Sequence, residues 1–127
     1  MNEGKATDSK LLDSSVWLAF LIERKHKDII EVDEIFLLSS LSLFEIKKKL
    51  LKDKINHDSI IKTIEFIKSK NIILPVTKEI AENAADISIE KNIPSIDSII
   101  YATAILNQAK LITLDNDFRN LPNVEIL

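Results

Sequence analysis

The chain has 127 residues, of which 46% are apolar and 29% charged, and a formal net charge of −3; this is the mix of one globular domain with its own core, not of a disordered chain. There is no Cys and a single Gly, Gly4, which excludes disulfides, thiolate nucleophiles and zinc–thiolate centres, and also glycine-rich phosphate loops and the serine nucleophile elbow. The acidic balance lacks the broad basic footprint of general nucleic-acid binders.

The chain opens on a polar stretch, "MNEGKATDSK", without the hydrophobic core of a signal peptide, and no apolar run is long enough to span a bilayer. A mobile tail over residues 1–8, a single domain over 9–127 and a cytosolic protein with no membrane association are expected. "KLLD" is a short apolar step read as a strand, followed by a mostly buried helix in "SSVWLAFLIERKHK", with Val16, Leu18, Ala19, Leu21 and Ile22 inward. "EIFLLSS" fits a buried strand. It feeds a helix in "LSLFEIKKKLLKDK", where Leu43, Ile46, Leu50 and Leu51 recur at helical spacing with Phe44 beside them. Lys47, Lys48, Lys49, Lys52 and Lys54 crowd the same stretch, ordinarily a solvated helix face.

A third helix, "HDSIIKTIEFIKSKN", places Ile60, Ile61, Ile64 and Ile67 on one face. "IILPV" reads as a strand, Thr77 starts a helix with acids in its first turn, and Pro94 and Ser95 open another in "SIDSIIYATAILNQA". "KLITL" and "VEIL" are the last strands. Such alternation predicts a three-layer α/β sandwich, with a central, largely parallel sheet of about five strands flanked by helices. His26 and His57 sit in charged surroundings suited to solvated helix ends.

In open parallel sheets, function collects at the carboxyl ends of the strands. Asp13 ends the first strand and Asp115 and Asp117 follow the fourth, while Glu45 and Asp97 fall in first turns of helices. Each has an ordinary structural role open to it. Asp13 can cap the next helix, Glu45 can close a capping box with Ser42, Asp97 can favour a helix N-terminus, and Asp117 can shape the turn before Pro122. As a set, however, they share one sheet edge, where they would repel one another unless a cation neutralised them. The donors are all hard oxygens, a chemistry that suits Mg²⁺ or Mn²⁺ and discriminates against zinc.

The pieces "LLDSSVWLAFL", "LSLFEIKKKLL" and "PSIDSIIYATAILNQAKLITLDNDFRNLPNVEIL" resemble the PIN domain, in the small single-domain form found as the toxin of VapBC toxin–antitoxin pairs. The resemblance covers the chain after its tail. It implies a metal-dependent ribonuclease in which Asp13, Glu45 and Asp97 fall on three family acids and the fourth falls in "TLDNDF", at Asp115. Asp117 is the competing choice, one of the pair meeting metal directly or through water. Ser15 and Thr113 match small polar positions that would orient carboxylates rather than bind metal. The polar tail and the acidic overall charge depart from the family pattern. A lysine-rich face, with Lys47, Lys48 and Arg119, is the expected RNA contact. The resemblance also implies a small VapB-type antitoxin and a homodimer.

With no histidine placed as a base, a cation must activate water for hydrolysis of a phosphodiester in RNA. Two other readings compete. One is a catalytically silent fold of this kind that binds RNA or protein. The other is a phosphatase or phosphoacceptor domain, disfavoured because "LLDSS" lacks a second Asp two residues on and no Lys follows the fourth strand.

Overall fold

The computed structural model describes residues 9–127, so the expected tail, residues 1–8, lies outside the described residues. Five strands, β1 (Lys10–Leu12), β2 (Phe36–Ser39), β3 (Asn71–Leu74), β4 (Lys110–Thr113) and β5 (Val124–Ile126), form one sheet in the order β3-β2-β1-β4-β5. Every pairing is parallel, with Leu11 opposite Leu37 and Leu111, and Ile112 opposite Leu12. The chain builds outward from β1 in one direction through β2 and β3, then crosses to the other side of β1 for β4. The seam between β1 and β4 is therefore the topological switch point, where the crossovers diverge.

Helices cover both faces, as a parallel sheet of apolar strands requires. They are α1 (Ser14–Glu23), α2 (Lys27–Ile30), α3 (Ser40–Lys52), α4 (His57–Lys70), α5 (Lys78–Lys91) and α6 (Ser95–Leu106). Because strand side chains alternate, Leu12 and Ile112 enter the core with Trp17, Phe36, Ile46 and Ile67, while Leu11 and Leu111 enter the opposite core with Ile100, Tyr101 and Phe118. Trp17 is fully buried and meets Phe20, Phe36 and Phe66 edge-on, with ring centroids 6.2–6.3 Å apart. Such pairs add roughly 0.5–1.5 kcal/mol each beyond the area they bury.

Several helix expectations change in detail. The first helix stops at Glu23, because Arg24 turns left-handed (φ 60°) and its N–H returns to the carbonyls of Ala19 and Phe20; the single turn of α2 then follows His26, also left-handed. Its inward residues are Val16, Trp17, Ala19 and Phe20, whereas Leu21 is half-buried and Ile22 is exposed. Aromatic volume beneath the sheet rotates the buried stripe relative to the aliphatic count. In α3, Ile46 and Leu50 are buried but Phe44 and Leu51 are 59% and 56% exposed. In α4, Ile60 and Ile67 point inward and Ile61 does not. The predicted cap at Thr77 forms, its hydroxyl accepting from the Ile80 N–H at 3.1 Å.

Candidate active site

The carboxyl end of β4 and the first turn of α6 bring Asp97, Asp115 and Asp117 together, while Asp13, at the end of β1, and Glu45, on α3, lie beside that group and outside it. Asp13 follows β1 directly and caps α1, with its backbone N–H bonded to the Ile112 carbonyl at 2.9 Å and its Oδ1 accepting from Ser14 N–H at 2.8 Å. Its Oδ2 accepts from Ser15 Oγ at 3.0 Å and Thr113 Oγ1 at 2.8 Å. The ordinary cap and the shared edge are thus the same residue in two roles. Three hydrogen bonds leave about one of the carboxylate's four lone-pair positions free. Burial raises the Asp13 pKa, the three donors lower it, and the charge of Asp115 raises it again.

Ser15 and Thr113 tie the two strand ends together. Ser15 Oγ accepts from the Leu114 N–H at 3.1 Å, and Thr113 Oγ1 accepts from the Asp115 N–H at 2.9 Å. Each hydroxyl donates to Asp13 and accepts from the backbone that carries the next acids. Beyond β4, a short 3-10 turn spans Asn116–Phe118, capped by Asp115, whose Oδ1 accepts from the Asp117 N–H at 2.9 Å. The turn-shaping role open to Asp117 is therefore filled by Asp115. Phe118, fully buried in the α6-side core, anchors the turn.

Asp97 sits in the first turn of α6, which begins after Pro94 without a side-chain cap. One carboxylate oxygen each from Asp97, Asp115 and Asp117 lies within 4.8 Å of the others. Burial, then the charges of Asp115, Asp13 and Asp117, and then a hydrogen bond to Asp117, push the Asp97 carboxyl up to about 7. Burial leads, and the neighbouring carboxylates add to it in the same direction. A hard divalent cation fits such a donor set: oxygens only, spaced for a common ion, and mutually repelled without one.

Glu45 falls in the second turn of α3 instead of the first, because α3 begins at Ser40, directly from β2. The expected capping box with Ser42 does not form. Ser39 is the N-cap, accepting from the Leu41 N–H at 3.1 Å, while the Ser42 hydroxyl is buried without a partner among the described residues. Glu45 instead accepts from Ser14 Oγ at 3.0 Å, and burial, opposed by that bond and reinforced by Asp13, raises its pKa. Ser14 is the site residue that sequence reasoning missed. Its only signal was adjacency to Asp13 in "LLDSS". Lys47, Lys48 and Arg119 are all exposed. Of these, Lys48 borders a groove beside Glu45, and neither Lys47 nor Arg119 lines it.

The class is that of an all-parallel, five-stranded α/β sheet with Asp97, Asp115 and Asp117 gathered at the carboxyl ends of the strands beside its switch point. More narrowly, the PIN domain family profile matches residues 10–124, and the chain belongs to the PIN domain family. Solved structures with the same fold include a toxin–antitoxin complex from Klebsiella pneumoniae (22% identity, TM-score 0.79, covering 92% of this chain and 96% of that one). VapBC2 from Rickettsia felis, bound to a DNA fragment from its promoter, is 17% identical with a TM-score of 0.76, covering 93% and 98%. VapC20 from Mycobacterium tuberculosis, a toxin that cleaves the sarcin–ricin loop, is 17% identical with a TM-score of 0.70, also covering 93% and 98%. No curated protein sequence matches. Among the described residues, no helix is long and apolar enough to cross a membrane.

Proposed function

We propose that the chain is a Mg²⁺- or Mn²⁺-dependent endoribonuclease and the toxin of a toxin–antitoxin pair. The observation that carries this reading is the convergence of Asp97, Asp115 and Asp117 oxygens within 4.8 Å at the switch point of a PIN domain. The solved toxin–antitoxin relatives, one of them a toxin that cleaves the sarcin–ricin loop, support it. Asp97, Asp115 and Asp117 would hold the ion, with Asp13 beside them as a further oxygen donor. The cation, when bound, acidifies water and offsets the charge that develops on phosphorus.

The chain's own groups do the rest. Ser15 and Thr113 hold Asp13 in one orientation, so that its free lone pair is aimed before substrate arrives. Ser14 occupies one oxygen of Glu45 and leaves the other to accept a proton from the attacking water, a role suited to a carboxylate whose pKa is raised. Lys47, Lys48 and Arg119 contact the RNA backbone. A VapB-type antitoxin fits the complexes formed by the relatives. A homodimer is part of the same reading, with Ile22 of α1 and Phe66 of α4 presenting apolar surface.

The test is calorimetric titration of Mg²⁺ and Mn²⁺ into metal-free protein and into Asp97→Asn, with cleavage of a mixed single-stranded RNA followed in the same buffers. Binding and cleavage should both collapse in the variant. A wild-type protein that binds no divalent ion and cuts nothing refutes the reading, and one that binds RNA without cutting it points to a silent binding module.

A further inference from the structure

Beside Glu45 a groove of about 390 Å³ runs between α3 and the start of α6. Leu41, Phe44 and Ile96 give it apolar lining, and Lys48, Lys49 and Lys52 line it with positive charge. The groove opens next to the acids, since Glu45 lines it and Ile96 precedes Asp97 in the same helical turn. Two of its apolar residues are exposed to solvent. Phe44 is 59% exposed and Ile96 44% exposed. The Lys48 ammonium lies 5.7 Å from the centre of the Phe44 ring, within cation–π range. Lys49, by contrast, is engaged with Asp53 at 3.2 Å, which leaves Lys48 and Lys52 as the lining lysines without a salt bridge among the described residues.

Resting on the nuclease reading above, we propose that this groove holds the single-stranded RNA flanking the scissile phosphate, with one base stacked on Phe44 and the adjoining phosphates on Lys48 and Lys52. An aromatic face bordered by lysines is the usual platform for an unpaired nucleotide, because every base has a π-face and every linkage a charge. Charge complementarity and continuity with the acids both select this occupant: a polyanion with one phosphate at the acid cluster must continue past the neighbouring lysines. The groove volume suits one base, within the ordinary range for small-ligand sites. The proposal assigns Phe44 and Lys52 roles outside the expected Lys47, Lys48 and Arg119 contacts, and makes Phe44 a determinant of substrate strength.

The experiment uses the full chain and a mixed-sequence single-stranded RNA oligonucleotide carrying 5-iodouridine, which photocrosslinks to aromatic rings it stacks on. Crosslinking is mapped by mass spectrometry, binding is followed by fluorescence anisotropy over a salt series, and cleavage kinetics are compared for wild type, Phe44→Ala, Phe44→Trp and Lys48→Gln/Lys52→Gln. The expected result is a crosslink at Phe44 and binding weakened by about ten-fold in Phe44→Ala and restored in Phe44→Trp. KM should rise with kcat little changed. The double lysine variant should flatten the salt dependence by about 0.7 per lost contact. A wild type that crosslinks through Phe44 but cuts nothing refutes the nuclease reading and leaves the groove assignment standing. Unchanged binding and cleavage in the Phe44 and lysine variants, in a wild type that does cut RNA, overturns the groove assignment and makes a protein segment its occupant. Phe44 is exposed, so thermal melts should match wild type.

Discussion

Thr113 Oγ1 donates to Asp13 Oδ2 at 2.8 Å, joining residues a hundred positions apart, and the same oxygen accepts from the Asp115 N–H at 2.9 Å. One buried hydroxyl thereby couples the end of β1 to the acids beyond β4.

Thr113→Val, which preserves shape and removes the hydroxyl, should destabilise the protein by about 2 kcal/mol, since it strips a donor from a buried carboxylate and an acceptor from a backbone N–H. Thr113→Ser should recover most of that. Urea titration of the pair checks it, and a valine variant as stable as wild type would show that the coupling contributes nothing.

The raised Asp97 pKa, about 7 against an ordinary 3.8, makes a signed prediction for metal-free protein. Between these values the unfolded chain has released the proton that the folded chain still holds, so stability falls as pH rises from about 4 to about 7 and then levels. Asp13 and Glu45, also raised, act in the same direction. Asp97→Asn should flatten the upper part of this slope and melt above wild type at pH 8. Saturating Mg²⁺ should raise the wild-type melting temperature most at the high-pH end, where the acids are ionised. A metal-free melting curve that rises with pH over this window would contradict the crowding.

Two serines near the site should behave oppositely. The buried Ser42 hydroxyl has no partner among the described residues, so Ser42→Ala should be neutral or stabilising. Had it closed a capping box with Glu45, the same change would cost about 1 kcal/mol. Ser14→Ala frees Glu45 and should lower cleavage by about ten-fold, equivalent to about 1.4 kcal/mol in the barrier, with little effect on metal affinity. A Ser42→Ala variant destabilised by about 1 kcal/mol would refute the first assignment, and a Ser14→Ala variant that cleaves at the wild-type rate would refute the second.

Phe118 fixes the turn that carries Asp115 and Asp117 from below. Phe118→Ala should cost about 3–5 kcal/mol, and Phe118→Leu, which keeps most of the volume, should fold but bind divalent ions more weakly. Calorimetry on the leucine variant decides it: wild-type affinity would mean that the turn holds its shape without the ring.

The order and type of the main elements could be read along the chain because they depend on local patterning. Short apolar runs in "IFLL" and "LIT" suit strands buried on both faces, and the Thr77 cap is a matter of neighbouring atoms. That the aspartates after β1 and β4 share one edge could also be read, since the strand ends of a parallel sheet fall on one side. Helix faces were less legible. Whether Trp17 or Ile22 turns inward depends on the aromatic cluster it meets from β2 and α4, and that partner is distant in sequence.

Only the assembled fold decided which acid does what. Glu45 left its capping pattern because α3 starts without a loop after β2 and brings it to Ser14. Asp115 took the turn that Asp117 was free to take. The carboxylate oxygens of Asp97, Asp115 and Asp117 converge because the chain reverses its direction of growth beside β1 and returns β4 to that strand. Residue type sets which chemistry is available. Crossover topology sets which residues meet, because through-space repulsion and hydrogen bonding act over a few ångströms and take no account of separation along the chain.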